Sequence, residues 1–258
     1  MLRYSYRNQP TIIWWNLVRL GEALGELIGA GASVDSVEFV EKGVRHENAD
    51  ELITRAEDII GRVGEEYKSL FLFEYKRLMT LRLGLKTHKE SDFQSLFSEL
   101  LDTMEDLDLD FNQFFRKLSN LQLADLDTDD KRRDIASTFF HSEGVTGVGN
   151  TEESARQRLS SWLGLWQARV LEDWGASGDE LRQKAMKLVN PKFIPKSWVL
   201  DELIRRVEKE GERDVLGRVL NMALHPFEES WGGDRNEEER FCGDVPRGRR
   251  AMVCSCSS

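Results

Sequence analysis

LSSWLGLWQARVLEDW, residues 159–174, is the stretch that decides the fold. Leu159, Trp162, Leu163, Trp166, Val170 and Trp174 fall on one face of a helix, at the three- and four-residue steps that a 3.6-residue period requires. A seam built from three indoles is a core seam, because rings of that size bury more area in packing than in stacking on a ligand. Trp14, Trp15 and Trp198 have the spacing of core anchors too.

The same period runs outward in both directions. Towards the C-terminus, Ser177 and Glu180 have capping-box spacing and open a helix ending near Val189. Pro191 and Pro195 mark a turn, and two further helices use Leu200, Leu203, Ile204 and Val207, then Val215, Val219 and Leu220. Beyond Pro226 the chain reads as a polar tail. Towards the N-terminus, Phe111, Phe114, Phe115 and Leu118 repeat the pattern behind an Asp110 cap, and Phe93, Leu96, Phe97, Leu100 and Leu101 do so behind Ser91. Residues 121–150 are less regular: an acidic run, a short helix around residues 131–140 and a glycine-rich loop. Residues 50–83 read as helix with an interruption at Gly61 or Gly64. Ile13, Leu17, Leu20, Leu24, Leu27 and Ile28 make one apolar stripe after Pro10; the glycines at 21, 25, 29 and 31 weaken that helix and suggest close packing, with an exit near Gly29. No run of β-alternation stands out, so the fold class is all-α.

Composition narrows the function. A formal net charge of −10 argues against a general nucleic-acid binder, which needs clustered Lys and Arg. No stretch approaches the roughly 20 apolar residues that span a bilayer. Tyr4 to Pro10 interrupts any signal-peptide core, and the abrupt start reads as entry into the middle of a fold. Three cysteines are too few for a disulfide scaffold, which favours an intracellular or organellar compartment.

Motifs of chemistry are scarce. Gly144, Gly147 and Gly149 lack the preceding strand and the Lys-Ser/Thr pair of a phosphate loop, so a plain loop is the better reading. His46, His88, His141 and His225 have no partner at metal-ligand spacing. Serine-nucleophile and kinase signatures are absent. The terminal Cys254-Ser-Cys256-Ser-Ser258 differs: a thiol three residues from a chain end has the access that thiolate chemistry needs. An unstructured tail with two incidental thiols is the plainer alternative, and a soft-metal site with Cys242 would lack a fourth ligand.

Several segments together resemble the selenoprotein O family. They are Tyr6-Arg-Asn-Gln-Pro10 with Trp15-Asn-Leu17, Lys76-Arg-Leu-Met79 with Leu83-Gly-Leu85, Asp110 with Phe114-Phe-Arg-Lys-Leu118, Trp162-Leu163, Asn190-Pro-Lys-Phe193, and the terminal Cys254-Ser-Cys-Ser-Ser258. They stand in family order. The resemblance implies a kinase-like fold that transfers AMP from ATP, with Mg2+, to hydroxyl side chains of protein substrates. This chain would be its C-terminal half, the later C-lobe helices plus a helical extension. The family's nucleotide lysine, its partner glutamate, the catalytic acid and the metal-binding residues would all precede Met1, so no catalytic, cofactor or metal residue is carried over. Asn8, Gln9 and Pro10 would anchor the helix after the activation segment. Residues 1–230 would be the helical region and 231–258 a flexible redox tail. In that tail Cys256, with Cys254 beside it, is the redox candidate, bonding to a cysteine of the absent catalytic lobe. Lys196-Ser197 departs from the family's usual Arg-Asn pair and puts an ion pair there in doubt. The resemblance also implies a mitochondrial location, although no transit segment is present. The alternative is a non-enzymatic helical interaction module.

Overall fold

The computed structural model describes residues 8–141, 145 and 151–245, and every regular element among them is helical. The chain divides into two compact units, up to Tyr75 and from Lys76 onwards.

The first unit holds α1 (Gln9–Ala23), α2 (Gly25–Ala30), α3 (Val37–Lys42) and α4 (His46–Arg82) as far as Tyr75. Glycines decide how α1 and α2 meet α4. A Cβ on Gly29 would lie 1.9 Å from the backbone oxygen of Leu52, and one on Gly21 would lie 2.9 Å from the Ile60 side chain. From the other helix, a Cβ on Gly64 would lie 2.6 Å from the Trp14 ring. Positions rise along α1–α2 as their partners fall along α4, so the pairing is antiparallel. Trp14 stacks on Tyr67, whose hydroxyl donates to the Pro10 carbonyl at 3.0 Å.

This pairing overturns two expectations. The stripe of Ile13, Leu17, Leu20, Leu24 and Leu27 is not the buried face; these residues are 40–56% exposed, and so is Trp15 at 45%. Close approach requires glycine, so the glycine side meets α4 and the leucine side, roughly a third of a turn away, does not. Nor does α4 break at Gly61 or Gly64. It is one helix of 37 residues, and Gly64 is the notch that admits the Trp14 indole.

The second unit continues through α5 (Glu90–Asp92), a π-turn over Phe93–Ser98, α6 (Glu99–Asp106), α7 (Phe111–Asn120), α8 (Asp129–Ala136) and α9 (Glu152–Trp174). Then come α10 (Asp179–Lys187), α11 (Ser197–Glu210), α12 (Asp214–Leu224) and α13 (Arg235–Cys242). Helix α9 buries the face its sequence predicts except at its end, where Trp174 is half-buried. Leu159, Trp162, Leu163, Trp166 and Val170 are buried, and the Trp162 and Trp166 rings stack 6.3 Å apart. Asp110 caps α7 through Gln113 N at 2.9 Å, again as expected.

The Ser177–Glu180 capping box does not form. Helix α10 starts one residue later than that cap would put it, behind Gly178, and the Asp179 carboxylate accepts from Leu123 N at 3.0 Å and Arg182 at 2.7 Å. The larger correction lies beyond Pro226. There the chain forms α13, and its Phe241 and Cys242 join Phe193, Trp198, Val199, Val215 and Val219 in a second apolar cluster.

The glycine contacts give a paired test. Gly29→Ala should lower the stability of the first unit by about 1–3 kcal/mol, the usual cost of overpacking. Gly25→Ala, whose Cβ would sit 3.9 Å from that of Ala56, should be neutral or slightly stabilising. Thermal melts of the two variants beside the parent check this, and equal melting temperatures would contradict the close approach at Gly29.

Candidate functional site

Two of the segments that resemble one family are joints between elements. Leu83-Gly84-Leu85 ends α4 in a turn where Gly84 has φ +73°, a conformation that favours glycine. The Trp166 indole donates to the Leu83 carbonyl at 2.9 Å and Trp174 to that of Gly84 at 2.6 Å. Two α9 tryptophans thus hold the turn, and each satisfies a polar N–H that its ring carries inward.

Asn190 is a second joint, wholly buried. Its amide donates to the Arg82 carbonyl at 2.9 Å and the Ser119 hydroxyl at 3.1 Å, and its own carbonyl accepts from Arg116 at 2.9 Å. Just beyond, Lys192 N and Phe193 N both donate to the Pro226 carbonyl. The ion pair placed in doubt at Lys196 is present: its ammonium lies 2.7 Å from Asp110, the same carboxylate that caps α7. Lys196 also reaches the Gly243 carbonyl at 3.2 Å, and Gln113 donates to that of Cys242. The end of α13 is therefore tied to the start of α7.

Charged groups are spent in the same way. Arg169 bridges Asp92 at 2.9 Å and Asp173 at 3.0 Å. Burial works against charge on Asp173, but the Thr87 hydroxyl, Arg169 and the amides of Thr87 and Lys86 outweigh it and hold the carboxyl at about 2. Glu238 is buried too, and the amides of Gly233 and Trp231 with the Ser230 hydroxyl overcome that burial and lower its pKa. On α11–α13, Glu202, Glu212 and Glu237 alternate with Arg206, Arg218 and Arg240 in one ion network, which lowers all three glutamates. These arginine-paired acids are poor candidates for acid–base work, which needs a carboxyl poised near the working pH.

Of the predicted redox residues, Cys254 and Cys256 lie outside the described residues, as do Gly144, Gly147 and Gly149. Cys242 sits in the second apolar cluster, where burial pushes its thiol up to about 11, so it is protonated and unreactive at neutral pH. The four histidines are exposed and apart; His141 pairs with Asp244 at 2.9 Å. Among the described residues no three His, Cys, Asp or Glu side chains gather to hold a metal. Mg2+–ATP requires free carboxylates beside donors aimed at the phosphates. The acids described above are committed to arginines, lysines and backbone amides instead, and that set does not fit the nucleotide.

Helix α3 and helix α13 both escaped sequence reading. Helix α13 carries the buried Glu238, Phe241 and Cys242, and its signal was Asp234 followed three residues later by Glu237, a cap-like spacing ahead of Phe241. Asp234 does cap the helix, through Asn236 N at 3.0 Å.

Within the described residues the chain is an all-helical body whose buried polar groups join its own segments. The family described as protein adenylyltransferase SelO matches residues 1–224, and the chain belongs to it. It is 32% identical over 261 residues to the mitochondrial protein adenylyltransferase SelO of Schizosaccharomyces pombe, covering 100% of this chain and 44% of that protein. Protein nucleotidyltransferases YdiU of Burkholderia lata and Burkholderia ambifaria are 28% and 29% identical, over 99% of this chain and 42% of theirs. The chain thus spans less than half the length of these relatives.

The Asp173 geometry carries a pH dependence. Its folded pKa lies below the ordinary 3.8, so its contribution is complete above about pH 4 and is lost as pH falls towards 2. Asp173→Asn should therefore be less stable than the parent at pH 7, with the gap closing between pH 4 and 2. Denaturant midpoints across that range check it; a gap independent of pH would show that the charge is not what matters.

Proposed function

We propose that this chain is the helical scaffold portion of a SelO-type enzyme, and that the whole enzyme transfers AMP from ATP to Ser, Thr and Tyr hydroxyls of protein substrates. The carrying observation is one of extent. The match accounts for nearly all of this chain and for only 42–44% of its relatives, so most of the family protein lies outside the matched stretch. AMP transfer needs metal-held phosphates and donors placed where charge develops. We assign ATP and Mg2+ to that remainder, and to this chain the frame that supports it. The name of the fission-yeast relative favours a mitochondrial location.

The tail completes the proposal. Cys256, with Cys254 two residues before it, would act as a redox switch. Exchange with a small-molecule disulfide converts the Cys256 thiol and a thiol of the remainder into one disulfide, and the oxidant leaves as two thiols. A second reading, a non-enzymatic helical interaction module, draws support from the exposed leucine stripe of α1.

Calorimetry on the purified chain with ATP and Mg2+ should give no binding heat, and micromolar affinity would overturn the division of labour. Co-expression with the unmatched portion of the fission-yeast relative should restore AMP transfer to a protein acceptor; assembly without transfer would favour the interaction module. For the tail, peptide mapping of the oxidised assembly should find Cys256 in a disulfide. A Cys256 that stays free under every oxidising condition removes the switch.

A further inference from the structure

We infer that the row Ile13, Leu17, Leu20, Leu24 and Leu27, together with the Leu70–Phe73 turn of α4, is a docking surface for the part of the SelO-type protein that this chain does not span. The inference rests on the family reading and adds to it a place and a chemistry.

The row repeats at alternating four- and three-residue steps, the rhythm of a seam that packs against another element. All five residues are 40–56% exposed. Nothing within the first unit covers them, because α1 and α2 turn their glycine side to α4. Helix α4 shows the same condition on its own surface. Leu70, Phe71, Leu72 and Phe73 are consecutive, so they point to all sides of the helix, and each is at least 37% exposed. A helix turn that is apolar all round belongs in the interior of a larger fold. On the same helix Arg19 and Glu22 pair with each other at 2.6 Å, off the row, and the row itself carries no charged residue. The surface asks for an apolar partner rather than a charged one.

A second copy of the chain fits it poorly. From residue 13 to 27 the row covers about two heptads, whereas a stable coiled coil takes roughly three or four. The flanking positions are Trp14, Asn16, Gly21, Ala23 and Ile28, and none carries the charge that fixes register between identical helices. The remainder of the family protein is the better occupant. It makes up more than half of each relative, and its interior would surround an all-round apolar turn where one paired helix would not.

The test is pull-down of the chain with the unmatched portion of the fission-yeast relative, co-expressed. The parent should co-purify. Leu17→Glu combined with Leu24→Glu should cut recovery at least tenfold, while helical content and melting temperature stay at parent values. Leu188→Glu, at another exposed leucine outside the row, should bind as the parent does. A Leu20→Cys chain gives a second reading that leaves the row apolar: maleimide labelling at that peptide should be fast in the free chain and at least tenfold slower in the complex.

A complex formed equally well by the double glutamate variant, or equal labelling rates, would overturn the surface. So would the absence of any complex with the parent, or a dimer of the chain that the same substitutions dissolve. The two readings fail separately. A row-dependent complex without AMP transfer sinks the activity and leaves the surface standing. AMP transfer undiminished by the double variant does the reverse.

Discussion

A helix can offer its neighbour only one face at backbone distance, and in the first unit that face is made of glycine. Gly21 and Gly29 on one side and Gly64 on the other bring two backbones and an indole together where any Cβ would collide. The geometry fixes everything else about α1. Once its glycine face is closed on α4, its leucine face has to look outward, however apolar it is. A leucine seam and a glycine seam on one helix can be satisfied together only if two different elements flank it.

The second unit solves its problem differently, by placing polar groups where chain segments join. Indoles of α9 donate to the turn that closes α4, Asn190 links the carbonyl of Arg82 to Ser119 of α7, and Lys196 links the cap of α7 to the end of α13. A buried polar group left unmade costs about 1–3 kcal/mol, so such joints specify one arrangement more sharply than apolar packing does. This explains why the family's segments are scattered along the chain. Asn-Pro-Lys-Phe at 190–193 and Leu-Gly-Leu at 83–85 lie more than a hundred residues apart, and Arg82, beside one of them, reaches Asn190 at the head of the other.

The sequence shows some of this clearly. The 3.6-residue period of residues 159–174 specifies both the helix and its buried face, because three tryptophans can hardly be left in water. At residues 13–28 the same period identifies a helix and misleads about its orientation. Periodicity ranks faces by apolarity, whereas contact with α4 selects for smallness. The glycines at 21, 25 and 29 held that information, although only the partner shows which of them is tight. Helix α13 was hidden for another reason. Its burial rests on Phe241, Cys242 and a carboxylate that gathers the turn just before the helix, and these have no period to read.

The ion pair at Lys196 shows what a joint between segments asks of a cation. A lysine in place of arginine loses the flat, forked geometry that grips a carboxylate with two donors. The site here needs something else: one positive group between the Asp110 carboxylate and the Gly243 carbonyl, two acceptors on different segments. An ammonium with three rotatable donors meets that demand as well as a guanidinium would. A lysine therefore suffices for the joint seen here. At this position the side chain joins the start of α7 to the end of α13.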